Sequence, residues 1–212
     1  MLKPLVSLAL VCLPLAGCVN LHTVEEGRFY RSGQPGPTHV KTWLWRYRIE
    51  TVLRVRGSNP ADRAFQDVYL PTVDAGVDFV AVPLSARRFP DRETLVRLCE
   101  VLETARYPML VHCRAGADRT GLVSAMYVLH RTRDLARGRE QLDFIPYLHL
   151  GWMGLDKPDL LLDMYEPWYP DLTICEWARQ VYERPPDGKI PDGYIATQRA
   201  RAAAARRGGG VE

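Results

Sequence analysis

The stretch His112-Cys113-Arg114-Ala115-Gly116-Ala117-Asp118-Arg119-Thr120-Gly121 constrains this chain more than any other. Met109-Leu110-Val111 before it reads as a short apolar strand. Leu122, Ala125, Met126 and Leu129 after it recur at helical spacing. The chain must therefore turn from strand to helix within a few residues. Consecutive backbone N–H groups in such a turn point inward and make a concave anion site. The amino end of the helix adds unpaired N–H groups and the positive end of its dipole. Gly116 permits backbone angles and a close approach that a side chain would forbid. Arg119 offers a planar fork suited to two phosphate oxygens at once.

The same field acts on Cys113. A thiol at a helix amino end near arginine is acidified from about 8.5 into the range of roughly 3.5–7.5. A thiolate at the floor of a phosphate cradle is placed for in-line attack on phosphorus. Thr120 is expected to donate a hydrogen bond to the sulfur and ease its departure. His112 is expected to orient the loop rather than act as a base, because the nucleophile is already ionised. Arg114, Ala115, Gly116, Ala117 and Gly121 supply the rest of the lining. A cysteine with a following arginine arises easily by chance, but the full string between an apolar strand and an amphipathic helix does not.

Around this loop, strands alternate with helices. Phe29-Tyr30-Arg31, Thr51 to Val55, Asp78 to Val82 and Met109 to His112 read as strands. Val40, Trp43, Leu44 and Tyr47 mark one helix, and Leu95, Leu98, Cys99 and Leu102 another. Residues 60–77 are ambiguous, a loop with a short helix. The alternation predicts an α/β fold with a central, mostly parallel sheet flanked by helices and the loop between a strand and a helix. Ligands in such sheets gather at the carboxyl ends of strands. Residues 138–182 read as further helices whose aromatic residues, Tyr147, Trp152, Tyr165, Trp168, Tyr169 and Trp177, cover the sheet. From Arg184 onward Pro, Gly, Ala and Arg dominate, which predicts a disordered tail.

The amino end has a different character. Lys3 precedes an apolar run from Leu5 to Leu13, too short for a permanent bilayer span, and Leu15-Ala16-Gly17-Cys18 follows. This resembles the bacterial lipobox, in which the chain is cut before a cysteine that is then acylated. The expected layout is a lipoprotein signal over 1–17, a tether over 18–27, the catalytic domain over 28–183 and the tail over 184–212. The mature chain is then exported and held on a membrane by acyl chains on Cys18. The remaining Cys99, Cys113 and Cys175 are odd in number and widely spaced. They suggest neither a disulfide framework nor a zinc site, and Cys99 and Cys175 read as core residues. The net charge of +3 is accounted for by Arg199, Arg201, Arg206 and Arg207 against Glu212. The rest of the chain is near neutral, so no nucleic-acid partner is expected.

The string from His112 to Gly121 resembles the signature loop of the protein tyrosine phosphatase superfamily, most closely the bacterial dual-specificity branch. Phe29-Tyr30-Arg31-Ser32-Gly33-Gln34-Pro35 is similar to the opening motif of that group. Gln141-Leu142 and His149-Leu150 resemble a helical stretch it carries after the loop. The resemblance implies hydrolysis of phosphate monoesters through a phosphocysteine, with no metal or cofactor. Cys113 then corresponds to the nucleophile and Arg119 to the phosphate-binding arginine. The superfamily usually takes its general acid from a separate loop, and no residue matches that pattern cleanly. Asp91, after Phe89-Pro90, is one candidate, although an aspartate at a helix start is also an ordinary cap. Asp118, inside the loop, resembles the loop aspartate of myotubularin-like lipid phosphatases. Asp74 and Asp78 are further candidates. Arg87, Arg88 and Arg114 are available for additional substrate anions. The expected substrate is a phosphorylated protein. Phosphoinositides or inositol phosphates, a phosphate-binding module without turnover, and sulfur transfer are the alternatives.

Overall fold

A computed structural model of the protein describes residues 19–185 and 189–208. The proposed signal segment and Cys18 lie outside the described residues. Five strands form one sheet: β1 (His22–Glu25), β2 (Phe29–Ser32), β3 (Thr51–Arg54), β4 (Asp78–Ala81) and β5 (Met109–His112), in the order β1-β2-β5-β3-β4. All neighbours are parallel except β1 with β2, whose antiparallel register shifts between Thr23 and Glu25. The expected α/β fold is therefore present. The expected tether is not, because residues 22–25 are an edge strand. Being short and partly exposed, β1 lacks the apolar run that announces a strand.

Helices cover both faces. α1 (Pro37–Arg46) and α2 (Arg63–Asp74) bury Val40, Trp43, Leu44 and Val68 against Tyr30, Val52 and Leu110. The ambiguous 60–77 region thus holds a full helix, capped by Asp62 accepting from Ala64 N at 3.0 Å. Pro71 inside it had obscured the periodicity. The opposite face carries the larger core. α3 (Arg92–Thr104) and α4 (Asp118–Thr132) lie on it, followed by α5 (Leu135–Glu140), α6 (Phe144–Tyr147), α7 (Lys157–Tyr165) and α8 (Ile174–Gln180). Tyr165, Trp168 and Trp177 belong to this core as expected, whereas Trp152 is 71% exposed and covers nothing in the sheet.

Two further expectations are corrected. Cys99 and Cys175 are buried, but they are bonded to each other, with Cα atoms 5.6 Å apart. The bridge ties α3 to α8 across 76 residues of sequence, a separation from which spacing rules predict nothing. The tail forms α9 (Tyr194–Gly208), which buries Gln198 and Ala202. Gln198 accepts a hydrogen bond from Trp168 Nε1 at 3.3 Å, and Arg206 pairs with Asp171. The alanines that lowered hydrophobic contrast in this segment are also the strongest helix formers.

Strand register sets the functional end of the sheet. Ser32, Arg54 and His112 align across β2, β3 and β5 at their carboxyl ends. Every parallel strand delivers its chain there, and the turn into α4 starts from the central one.

Candidate active site

The loop after β5 is shaped by where its carbonyls go. The Cys113 carbonyl contacts His112 Nδ1 at 3.3 Å, and the Arg114 carbonyl accepts from Gln34 N at 3.0 Å. The Ala115 carbonyl accepts from Asn20 Nδ2 at 3.0 Å. Those of Gly116 and Ala117 accept from Arg31 Nη2 at 2.9 and 3.2 Å. With these carbonyls held by groups outside the turn, the N–H groups between them are left to face the concave side. Gly116 has φ +75, and a Cβ there would meet Gly33 N at 2.5 Å and the Ser32 carbonyl carbon at 2.7 Å, so no other residue fits. Cys113 is 1% exposed, and its Sγ accepts from Gly116 N at 3.2 Å. Arg119, half-buried on the first turn of α4, has a buried Nε without a partner among the described residues.

Thr120 departs from expectation. Its hydroxyl lies 3.5 Å from the Ser32 carbonyl and makes no hydrogen bond to the sulfur. Its place is to hold α4 against β2. His112 behaves as predicted. It is fully buried, and burial followed by the charge of Arg54 pulls it down to about 3, so it stays neutral and serves the loop's geometry. Arg114 and Ala115 are exposed at the rim, while Gly116 and Ala117 are buried. At Gly121 a Cβ would meet Leu142 Cδ2 at 2.8 Å, so this glycine admits the segment after α5.

Two buried arginines support the loop from below. Arg31 has no exposed surface; it donates to the Gln141 carbonyl at 2.8 Å and to Gln141 Oε1 at 3.1 Å, and it lies 3.8 Å from the Tyr147 ring centre. Burial lowers it to about 10, which still leaves it charged at neutral pH. Arg54 is equally buried and donates to Gln34 Oε1 at 3.0 Å and to the carbonyls of Gly57 and Ala64. Burial and then the neighbouring Arg56 lower its pKa. Arg31, Arg54, Arg56 and Arg119 together give the site a positive field.

The four candidate acids separate clearly. Asp91 is exposed and caps α3, its Oδ1 accepting from Thr94 N at 2.8 Å; those Thr94 bonds hold its carboxyl below the usual range. Asp78 starts β4 at the amino edge of the sheet, where Arg106 at 2.8 Å keeps it ionised. Asp74 ends α2 nearby. Both lie at the wrong end of the strands. Asp118 alone stands at the loop. Its Oδ1 is 2.7 Å from His149 Nδ1, and His149 Nε2 is 2.7 Å from Asp159 Oδ2. Burial opposes a charge on His149, but the bonds to Asp118 and Asp159 outweigh it and raise the imidazole to about 9. The site thus contains a cation clamped between two carboxylates, one of them inside the phosphate loop.

Residues 17–145 match the family described as DSP-PTPase phosphatase fused to NAD+ kinase. This chain belongs to that family. Among curated relatives of this DSP-PTPase domain is the dual specificity protein phosphatase TpbA of Pseudomonas aeruginosa. The UCBPP-PA14 protein is 30% identical over 143 residues, covering 67% of this chain and 58% of the relative. The PAO1 protein is 33% identical over 110 residues, 51% of this chain and 46% of the relative. The chain thus spans about half the length of the curated relatives it matches. The crystal structure of P. aeruginosa TpbA superposes with a TM-score of 0.53 at 22% identity, covering 87% of this chain and 91% of that one. The core catalytic domain of the PP-IP phosphatase SIW14 from S. cerevisiae, in complex with citrate, gives 0.54 at 18% identity, covering 66% and 84%. These likenesses establish the α/β dual-specificity phosphatase fold for this DSP-PTPase family member.

Sequence reasoning missed the loop's outer partners, Asn20, Arg31, Gln34, Gln141, His149 and Asp159. A faint signal existed for Arg31, Gln141 and His149. Arginine at the end of an otherwise apolar strand, as at Arg31 and Arg54, is costly to bury without a dedicated partner. Gln141 and His149 lay in the stretch that resembles the bacterial group, without an assigned task.

Proposed function

We propose that this chain hydrolyses phosphate monoesters in two steps through Cys113, as a dual-specificity-type protein phosphatase. The observation that carries this reading is the placement of Cys113, the one free cysteine among the described residues, at the floor of a loop whose carbonyls are turned outward, with Arg119 beside it. The Cys113 thiolate attacks phosphorus in line, the S–P bond forms and the ester P–O bond breaks. The inward N–H groups and Arg119 take up the charge on the equatorial oxygens. Asp118 is the group that passes a proton to the leaving oxygen, and the His149 imidazolium behind it supplies that proton through Nδ1. In the second step the Asp118 carboxylate takes a proton from the attacking water and the S–P bond breaks. Asp91 is assigned a capping role, because its carboxylate is already spent on α3.

Export and acylation at Cys18 are part of the same proposal. The Cys99–Cys175 disulfide supports them, since such bonds persist in oxidising compartments outside the cytoplasm. Cys113→Ser tests the chemistry. Turnover of an aryl phosphate should vanish while binding of a phosphate analogue persists, because backbone and Arg119 are unchanged. Substantial turnover by the variant would refute the phosphocysteine route.

A further inference from the structure

Residues 19–22 are not a free linker but part of the active-site rim. The Val19 carbonyl accepts from Gly33 N, while Asn20 Nδ2 donates both to the loop carbonyl of Ala115 and to the Tyr147 carbonyl, each at 3.0 Å. Asn20 is 5% exposed, and its Oδ1 is held by His22, whose ring packs edge-on against Tyr147 at 5.1 Å. Cys18 directly precedes Val19 in the sequence, so acyl chains on it would be attached one residue before these contacts with the loop.

That same rim carries an unusual surface. From Phe144 to Leu155 the sequence holds no Asp, Glu, Lys or Arg. Phe144 is 45% exposed, Ile145 78%, Leu148 51%, Trp152 71% and Met153 66%. Phe144 and Trp152 stack edge-on at 5.3 Å, and Asn20 joins the segment through Tyr147. Of the acidic groups around it, Asp159 pairs with His149 and Asp156 with Lys157, and Asp143 stands exposed at its amino end. Exposed apolar side chains with a tryptophan among them suit the interface between headgroups and acyl chains. Arg114, exposed on the loop, is placed to meet anionic headgroups. The other exposed tryptophan, Trp45, shares a surface with Glu50 and Pro108 at the opposite, amino end of the strands.

We infer that the 144–153 segment is a bilayer-docking surface that, together with acylated Cys18, holds the mouth of the phosphate loop against the membrane. The inference rests on the lipid-anchor reading and adds an orientation to it. The enzyme then works on phosphates presented at the membrane surface, and bulk substrates must approach between protein and lipid. An anchored protein on a free tether would have no such restriction.

The test uses the full-length protein, exported and purified with its anchor, in vesicles of phosphatidylcholine and phosphatidylglycerol carrying brominated acyl chains. Mass spectrometry of the amino-terminal peptide first reports whether Cys18 is acylated. Tryptophan fluorescence should be quenched by the brominated lipid, and Trp152→Phe should lose most of that quenching while Trp45→Phe keeps it. If Cys18 is acylated and quenching is absent, or survives in Trp152→Phe, the docking surface is refuted and the anchor stands. If Cys18 carries no acyl chain, the anchor itself is refuted, and the docking with it. Burial of Trp152 in a second copy, seen as a dimer without lipid, would equally overturn the inference.

Discussion

The starts of α3 and α4 each present an aspartate, and the two are used in opposite ways. Asp91 turns its carboxylate onto the N–H of Thr94 in its own helix. Asp118 leaves its helix unserved and bonds His149 instead, with Asp159 behind. The α3 start is further fixed by hydrogen bonds from Tyr182 Oη to Pro90 and from Arg92 to Tyr182, and the disulfide from Cys99 ties the same helix to α8 further along. One aspartate is therefore built into the scaffold, and the other is held by a charged partner facing the chemistry. A carboxylate satisfied by its own backbone has no proton to give. One bonded to an imidazole N–H has a proton within reach, as the proposed role of Asp118 requires.

The largest effect that sharpens this contrast should come from Asp118→Asn. Protonating the leaving oxygen matters most for poor leaving groups, so alkyl phosphate turnover should fall by about 10²–10⁴-fold while activated aryl phosphates are affected far less. Asp91→Asn should show no such leaving-group dependence. Its cost is a helix cap, about 0.5–2 kcal/mol in stability, read by denaturant unfolding. If Asp91→Asn discriminates between leaving groups and Asp118→Asn does not, the assignment is reversed.

Next in size is the scaffold itself. Replacing Cys99 and Cys175 together by alanine should cost about 2–5 kcal/mol of stability. The leaving-group profile of the folded variant should stay as in the parent. A profile that changes with the bridge would mean that α3 takes part in the chemistry after all.

The smallest effect concerns pH. His149 is raised above its unfolded value of 6.5 to about 9. A group raised on folding contributes stability that is fully present below its unfolded pKa and is lost as pH rises through the folded one. Unfolding free energy should therefore decline between pH 6.5 and about 9, and His149→Gln should remove that decline. Turnover of alkyl phosphates should fall over the same range, because the proton store empties. A pH profile unchanged in His149→Gln would detach the imidazole from both roles.

The phosphate loop was legible because its shape is dictated locally. Strand, glycine, arginine and helix follow within a few residues, and nothing distant is needed to see what they make. What the sequence left dark is what holds the loop from outside. Asn20 and Arg31 reach carbonyls that are 95 and 85 residues away, and His149 reaches Asp118 across 31. Such pairings come from topology, which puts β2 beside β5, and local patterns carry no trace of them. The candidate Asp91 illustrates a related limit. Its neighbours Phe89 and Pro90 gave it the local look of an acid, but only the structure shows where its carboxylate is spent. The tether reading failed because β1 earns its place by pairing with β2 rather than by hydrophobicity.

The central claim is that Cys113 carries the phosphoryl group between the two steps. A rapidly quenched reaction of the wild-type protein with a radiolabelled aryl phosphate tests it most directly. The account predicts acid-stable label on the peptide containing Cys113, absent in Cys113→Ser and longer-lived in Asp118→Asn, where the second step loses its base. Full turnover with no labelled intermediate, or label on any other residue, would contradict it.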